Sequence, residues 1–386
     1  MMMMKKVLIA LAFLFTLGQS AVANPINYEL IDARLRLLID RDDMMGLAVA
    51  IVENGQITFV KGYGYTELGG SKVDENTAFR WASVSKGLSG TLAAQMAHEG
   101  KLSLDSHLSE WHTTLRLPGA GESVATVRDL LSHQLGLVPN AYDNKIEGGA
   151  DPAKVRATLA GLKPICKVGS CHGYQNVAFD TISEILETST GKDFETLTRE
   201  RVFDPLGMTS AKVTYNGFIS STNFAKPHSW SSRSNALYRS SITLPYFKVA
   251  AAGGVSSSIR DLAIYMQAQM GLRPDVFHPE ALKVSHEPLV DTALRKSATD
   301  REDQVETAAY GLGWRIYTYK GHRLIGHQGM VRGTRALILF DPVLNTGVVA
   351  AWNSSSSRPK GLQLEVMDMA YGLPPRDRMD LMDKPN

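Results

Sequence analysis

Apolar residues at Leu30, Ile31, Leu35 and Leu38 recur at helical spacing and predict an amphipathic helix over residues 28–40. Two apolar runs, 46–52 and 56–60, flank Asn54-Gly55, a pair that predicts a tight β-hairpin. Near the other end, runs at 335–340 and 346–352 flank a turn through Asp341-Pro342, and a helical pattern over 361–370 follows. Each end therefore offers a helix and an antiparallel pair, which predicts one sheet assembled from both ends. The middle reads differently. Helical segments at 127–132, 152–162 and 179–188 stand in it with little strand pattern. Residues 216–244 are rich in Ser and Asn and predict a long surface loop, and 287–308 read as irregular. The expected organisation is a sheet part, about 24–104 and 246–386, with a mostly helical part, about 105–245, and a cleft between them.

The first residues read as an export leader. Lys5 and Lys6 precede an apolar run over 7–17, and Ala21-Val22-Ala23 offers a small-residue cleavage site. Residues 1–23 are thus expected to be a signal peptide, leaving 24–386. The apolar run is too short to span a bilayer comfortably, and no Cys lies near the cut to carry a lipid. No stable membrane anchor is expected after cleavage. The chain of 386 residues has a formal charge of +2; the leader holds two Lys and no acid, so the remainder is +2 − 2 = 0. Neutrality argues against non-specific nucleic-acid binding. Two cysteines, Cys166 and Cys171, fit an exported protein, periplasmic or secreted, with one disulfide. They are too few for a zinc site, and none of the ten His forms a His-Glu-x-x-His pattern, so neither metal nor other cofactor is expected.

The chemistry centres on Trp81-Ala82-Ser83-Val84-Ser85-Lys86. Ser83 and Lys86 are three apart at the mouth of a helix whose apolar positions are Leu88, Leu92, Ala93, Met96 and Ala97, with Gly100 as a stop. Residues at that spacing sit roughly 5–6 Å apart on one helical face. A hydroxyl at the positive end of a buried helix, beside an amine, suits an activated nucleophile. The same spacing recurs at Ser189-x-x-Lys192, where Gly191 closes a helix, and at Ser357-x-x-Lys360, where Pro359 interrupts one.

Two further motifs extend the pattern. Tyr174-Gln175-Asn176 supplies a phenol able to carry a proton and an amide able to hold both an amine and a carbonyl. Tyr142-Asp143-Asn144 has the same form but neither a disulfide nor a following helix to fix it, and reads as a surface turn. His327-Gln328-Gly329 follows an apolar pair, and its Gly lets a substrate backbone approach a strand edge.

These three motifs, in this order, resemble those of the penicillin-recognising serine hydrolases, specifically the class C β-lactamase-like branch. That branch includes D-Ala-D-Ala carboxypeptidases, D-aminopeptidases and family VIII carboxylesterases. The likeness runs from about residue 28 to 372, through Thr126-Val127-Arg128-Asp129-Leu130-Leu131-Ser132-His133, Phe203-Asp204-Pro205-Leu206-Gly207-Met208, Gly253-Gly254-Val255-Ser256-Ser257 and Tyr310-Gly311-Leu312-Gly313-Trp314. It implies an α+β, β-lactamase/transpeptidase-like fold: a five-stranded antiparallel sheet flanked by helices, beside a mostly helical region.

The resemblance also implies roles. Ser83 would form an acyl-enzyme, with Lys86 or Tyr174 as its base. Asn176 would position Lys86 and substrate, and the amides of Ser83 and Met330 would make an oxyanion hole. The substrate would be a β-lactam, a D-Ala-type peptide or, on the esterase reading, a short acyl ester; a slow-turnover penicillin-binding protein is the further alternative. His-Gln-Gly departs from the Lys-Thr-Gly usual in class C enzymes, replacing a permanent cation by a side chain mostly neutral at pH 7. Arg332 or Arg335 would restore the charge, while Asn140, Asn353 and Arg358 match family regions that touch substrate. His133 and Arg128-Asp129 read as structural.

Overall fold

The computed structural model describes residues 22–242, 244–293 and 305–382. The leader expected over 1–23 lies outside these except for Val22 and Ala23, and Ala23 packs with Leu339, Leu344 and Leu364. Among the described residues no helix is long and apolar enough to cross a membrane.

Twelve strands are formed among the described residues: β1 (Gly46–Glu53), β2 (Gln56–Gly64), β3 (Ala78–Arg80), β4 (His228–Ser231), β5 (Ala236–Arg239), β6 (Ser256–Ser258), β7 (Val290–Asp291), β8 (Val305–Tyr310), β9 (Arg315–Tyr319), β10 (His322–Val331), β11 (Thr334–Asp341) and β12 (Thr346–Trp352). The main sheet is antiparallel, in the order β2-β1-β12-β11-β10-β9-β8-β7. The two ends of the chain meet at its centre, where Leu47 to Val52 pair with Trp352 back to Gly347. Asn54 (φ 49°) and Gly55 (φ 82°) form the two-residue turn of the first hairpin, both with the positive φ such a turn needs.

The sheet has eight strands among the described residues, not five. The extra three, β9, β8 and β7, continue outward from β10. Their sequence hid them: Glu306 and Thr307 are exposed at the outer end of β8, so no apolar run marks that strand. Residues 216–244 likewise hold more order than expected. β4 and β5 pair as a separate hairpin, whose His228 amide donates to the carbonyls of Gly333 (3.1 Å) and Asn353 (3.0 Å).

Both faces of the central strands are covered, which is why they read as continuous apolar runs rather than alternating ones. Leu47, Val49 and Ile51 face α1 (Tyr28–Ile39) and the helix Leu362–Ala370, in a core with Ile31, Leu35, Leu38 and Val366. Leu30, expected on that stripe, is 37% exposed. Ala48, Ala50 and Val52 face the larger core, which holds α2 (Ser85–His98) and the helical middle. Ser85 through Met96 are all buried, so α2 is a core helix rather than an amphipathic one. Small residues permit this. A Cβ on Gly90 would lie 1.8 Å from the Leu312 carbonyl oxygen, so the Tyr310–Trp314 stretch packs directly on the helix backbone.

Candidate active site

Ser83 sits in the one-turn helix Ala82–Val84, immediately ahead of α2. The turn is tied to Val255 from both sides: the Trp81 amide donates to its carbonyl (2.8 Å), and its amide donates to Ser85 Oγ (3.1 Å). Ala82 is held at φ 48°, the left-handed region that a side chain normally avoids. Strand β10 crosses directly over this turn. A Cβ on Gly329 would lie 2.1 Å from the Trp81 carbonyl oxygen and 3.0 Å from the Ser83 nitrogen, so only glycine fits.

Lys86 is fully buried in the first turn of α2. Each of its three donor positions finds an acceptor: Asn176 Oδ1 at 2.6 Å, the Ala252 carbonyl at 2.8 Å and Ser83 Oγ at 3.3 Å. Its Nζ also lies 4.9 Å from the centroid of the Tyr174 ring. The Cys166–Cys171 disulfide (Cα–Cα 6.2 Å) closes the loop just ahead of Tyr174 in the chain. Amides of the disulfide segment, Ile165 and Gly169, donate to the carbonyls of Gly136 and Gln134, and Gly173 donates to His133. His133, buried at φ 62°, accepts from the Gln175 amide through Nδ1 (3.2 Å) and packs its ring 4.4 Å from Tyr174. The structural reading of His133 thus acquires an object, the Tyr174 segment.

His327 is 3% exposed and turned inward. Its Nδ1 lies 2.8 Å from the Gln328 carbonyl, which can only accept, so Nδ1 carries the proton and Nε2 accepts from the Tyr310 hydroxyl at 2.9 Å. Burial first, then the charges of Arg315 and Lys86, hold its pKa well below that of a free imidazole. It presents no cation at neutral pH. A cleft of about 1020 Å³ joins Ser83, Tyr174, Asn176, His327, Gly329, Met330 and Asn140, with Arg332 and Arg335 on the same wall.

Some expectations fail. Asn353 is fully buried and its Nδ2 is committed to the carbonyls of Thr66 (2.8 Å), Lys226 (3.0 Å) and Tyr65 (3.3 Å), so it locks backbone segments together instead of lining the cleft. Arg358 pairs with Asp380 (3.0 Å) outside the cleft. Arg332 and Arg335, by contrast, keep their place on the cleft wall, Arg332 exposed on the two-residue turn between β10 and β11 and Arg335 with its Nε donating to the Ser355 carbonyl at 3.1 Å.

Two residues of the site were not expected. Asp143 Oδ2 accepts from Asn176 Nδ2 at 2.6 Å, which orients the amide oxygen toward Lys86. Burial pushes the Asp143 carboxyl up, against the opposing pull of Asn176 and Lys86. The Tyr142-Asp143-Asn144 stretch is therefore part of the site, through its middle residue, and it does open a helix, Asp143–Glu147. Arg315, on β9, lines the cleft with its guanidinium 5.9 Å from the Tyr174 ring centroid and 5.6 Å from that of Tyr310. Its register partner is Gly326, beside His327. Recognising β9 as a strand would have found it.

A model of the β-lactamase family matches residues 31–367, a span that holds every residue of this cluster. The chain belongs to the β-lactamase family. Members of the β-lactamase family are serine hydrolases. This β-lactamase-family chain is 24% identical over 367 residues to the unguisins hydrolase ungD′ of Aspergillus campestris, a match covering 89% of this chain and 65% of that one. The chain thus spans just under two-thirds of the length of that relative. Among solved structures, the octameric penicillin-binding protein homologue from Pyrococcus abyssi is similar at a TM-score of 0.79 and 21% identity, covering 90% of this chain and 78% of that one. A class C β-lactamase mutant is similar at 0.70 and 21%, covering 89% and 95%. The fold is β-lactamase/transpeptidase-like.

Proposed function

We propose that the protein is an exported serine hydrolase that forms an acyl-enzyme on Ser83 and cleaves amide bonds of β-lactams or D-amino-acid peptides. The observation that carries this reading is the buried Lys86 amine, 3.3 Å from Ser83 Oγ and held in place by Asn176 and the Ala252 carbonyl. Ser83 Oγ attacks the substrate carbonyl carbon as its proton leaves through Lys86 and Tyr174, which together deliver it to the departing nitrogen. The same pair then takes a proton from water, which attacks the ester and frees Ser83. Either Lys86 or Tyr174 serves as the base. The developing oxyanion lies between the amides of Ser83 and Met330, a placement supported by the contact of Gly329 with the Ser83 turn. Losing one such donor typically costs about 3–4 kcal/mol in the transition state. The Cys166–Cys171 disulfide supports a periplasmic or secreted location.

A second reading, an esterase acting on short acyl esters, is favoured by His327. Its neutral, inward imidazole leaves the third motif without the permanent cation that would select carboxylate-bearing β-lactams. The deciding experiment incubates purified protein and Ser83→Ala with a chromogenic cephalosporin, a D-Ala-D-Ala peptide and a p-nitrophenyl ester, following turnover and protein mass. Amide turnover with a transient adduct on Ser83 is expected. Ester turnover alone selects the esterase, and a burst without steady turnover selects a penicillin-binding protein. Equal activity in Ser83→Ala defeats all three.

A further inference from the structure

Arg80 ends β3, three residues ahead of Ser83, and lines the same cleft beside Ile242 and Tyr246. It is 6% exposed, with its guanidinium carbon 4.1 Å from the centroid of the Phe247 ring. Its Nε and Nη2 have no hydrogen-bond partner, and no carboxylate pairs with it among the described residues. The other buried arginines behave differently. Arg156 pairs with Asp180 (2.9 Å) and Glu184 (2.6 Å), and Arg378 pairs with Asp368 (2.9 Å). Burying a guanidinium is costly, and an ordinary core position recovers that cost with a counter-charge. Burial draws its pKa down to about 10, which leaves it charged at neutral pH. A cation kept in the wall of a cleft without a protein counter-ion is suited to a ligand that supplies one.

We propose that Arg80 is an anion subsite of the cleft, taking a carboxylate carried by the acyl donor that Ser83 attacks. The inference rests on the reading of Ser83 as the nucleophile, and it moves the selecting charge from the third motif to the strand that leads into the first. Arg80 touches no reacting atom; it sets which acyl donors are preferred.

The test compares wild type, Arg80→Gln and Arg80→Lys on matched esters. p-Nitrophenyl hemisuccinate against p-nitrophenyl butyrate places the carboxylate on the acyl side. 3-Carboxyphenyl butyrate against phenyl butyrate places it on the leaving side. In Arg80→Gln the preference for the anionic member of one pair, in kcat/KM, is expected to fall about tenfold or more. The neutral member and the melting temperature stay close to wild type, and Arg80→Lys keeps part of the preference. The pair that responds identifies the side. Equal loss on both members, or an unchanged preference in both pairs, overturns the subsite while leaving the hydrolase reading intact. Calorimetric binding of monomethyl succinate to Ser83→Ala, with and without Arg80→Gln, gives a readout independent of turnover. Arg80-dependent binding, alongside a wild type that turns over neither amide nor ester and forms no adduct on Ser83, would retain the subsite and remove the reading of Ser83; binding insensitive to Arg80 overturns the subsite.

Discussion

The regions around Ser83 and Ser189 carry the same local pattern, a serine with a lysine three residues on, and the fold treats them in opposite ways. Lys86 is fully buried, and its acceptors come from three separate parts of the chain: Ser83, Asn176 and Ala252. Lys192 is 47% exposed and forms an ion pair with Glu200, while Ser189 Oγ donates to the Leu186 carbonyl as the helix ends at Gly191 (φ 70°). Both pairs satisfy the spacing. Only the first is placed where the amine cannot choose water over the hydroxyl. Burial and distant acceptors, rather than the spacing, distinguish the first pair from the second.

The largest effect separates these two regions. Ser83→Ala and Lys86→Ala should each lower kcat by about 10⁴-fold or more, and the double variant little further, because groups acting as a unit are not additive. Ser189→Ala and Lys192→Ala should leave kcat within experimental error. Steady-state kinetics on the best substrate of the panel decides it; a comparable loss at Ser189 would end the distinction.

Next in size is the support behind Lys86. Asp143→Ala leaves Asn176 Nδ2 without its partner, and an unmet buried polar group costs about 1–3 kcal/mol, or about 5–150-fold in kcat/KM. Asp143→Asn, which still offers an acceptor oxygen, should recover part of the loss. The exposed neighbour Asn144, changed to Ala, should have no effect. If all three variants match wild type, Asn176 needs no orientation from Asp143.

Legibility followed where the physics was local. The Asn-Gly hairpin, the helix after Ser83 and the strands that pair the two chain ends announce themselves by turn chemistry and continuous apolar runs. β8 and β9 do not: one has a polar end, and the other sets Arg315, Tyr317 and Tyr319 on one face and Ile316 and Thr318 on the other, which leaves no apolar period to read. Asp143 was hidden for a different reason. Its role depends on facing Asn176 across 33 residues, a relation that neither spacing nor composition encodes. Asn353 misled in reverse, since a polar residue after a strand is as able to bind three backbone carbonyls as a substrate. Arg80 was passed over because a single arginine before a motif carries no pattern; only its burial without a partner marks it.

Acid should test the imidazoles buried around and beneath the site. A free imidazole takes its proton near 6.5, but burial, aided by Arg315, delays His172 to about 4, and burial, aided by Arg323, delays His286 to about 3. His133 and His327 are pushed the same way, first by burial. Between these values the unfolded chain binds more protons than the native one, so this contribution to stability is present above 6.5 and is lost as the pH falls. Asp180 works oppositely: burial lifts its carboxyl from 3.8 to about 6, so the native state gains stability as the pH falls through that range. Burial pushes Asp143 and Asp261 in the same direction as Asp180. The informative measurement is therefore a difference. Below pH 6.5, His286→Asn should lose stability less steeply than wild type, by up to one proton's worth of slope. Identical slopes would mean that His286 is not held neutral.

The smallest effect concerns the disulfide, which belongs to the Ser83 side of the comparison through Tyr174. Closing so short a loop contributes about 2 kcal/mol in the chain-entropy model. Replacing both Cys166 and Cys171 by Ser should lower the melting temperature accordingly. Because Ile165, Gly169 and Gly173 still donate to the turn at Gln134 and Gly136 and to His133, Tyr174 should stay near Lys86 and kcat should fall only a few-fold. A kcat loss as large as that of Lys86→Ala, in a protein that remains folded, would show that the disulfide and not the backbone ladder sets the position of the phenol.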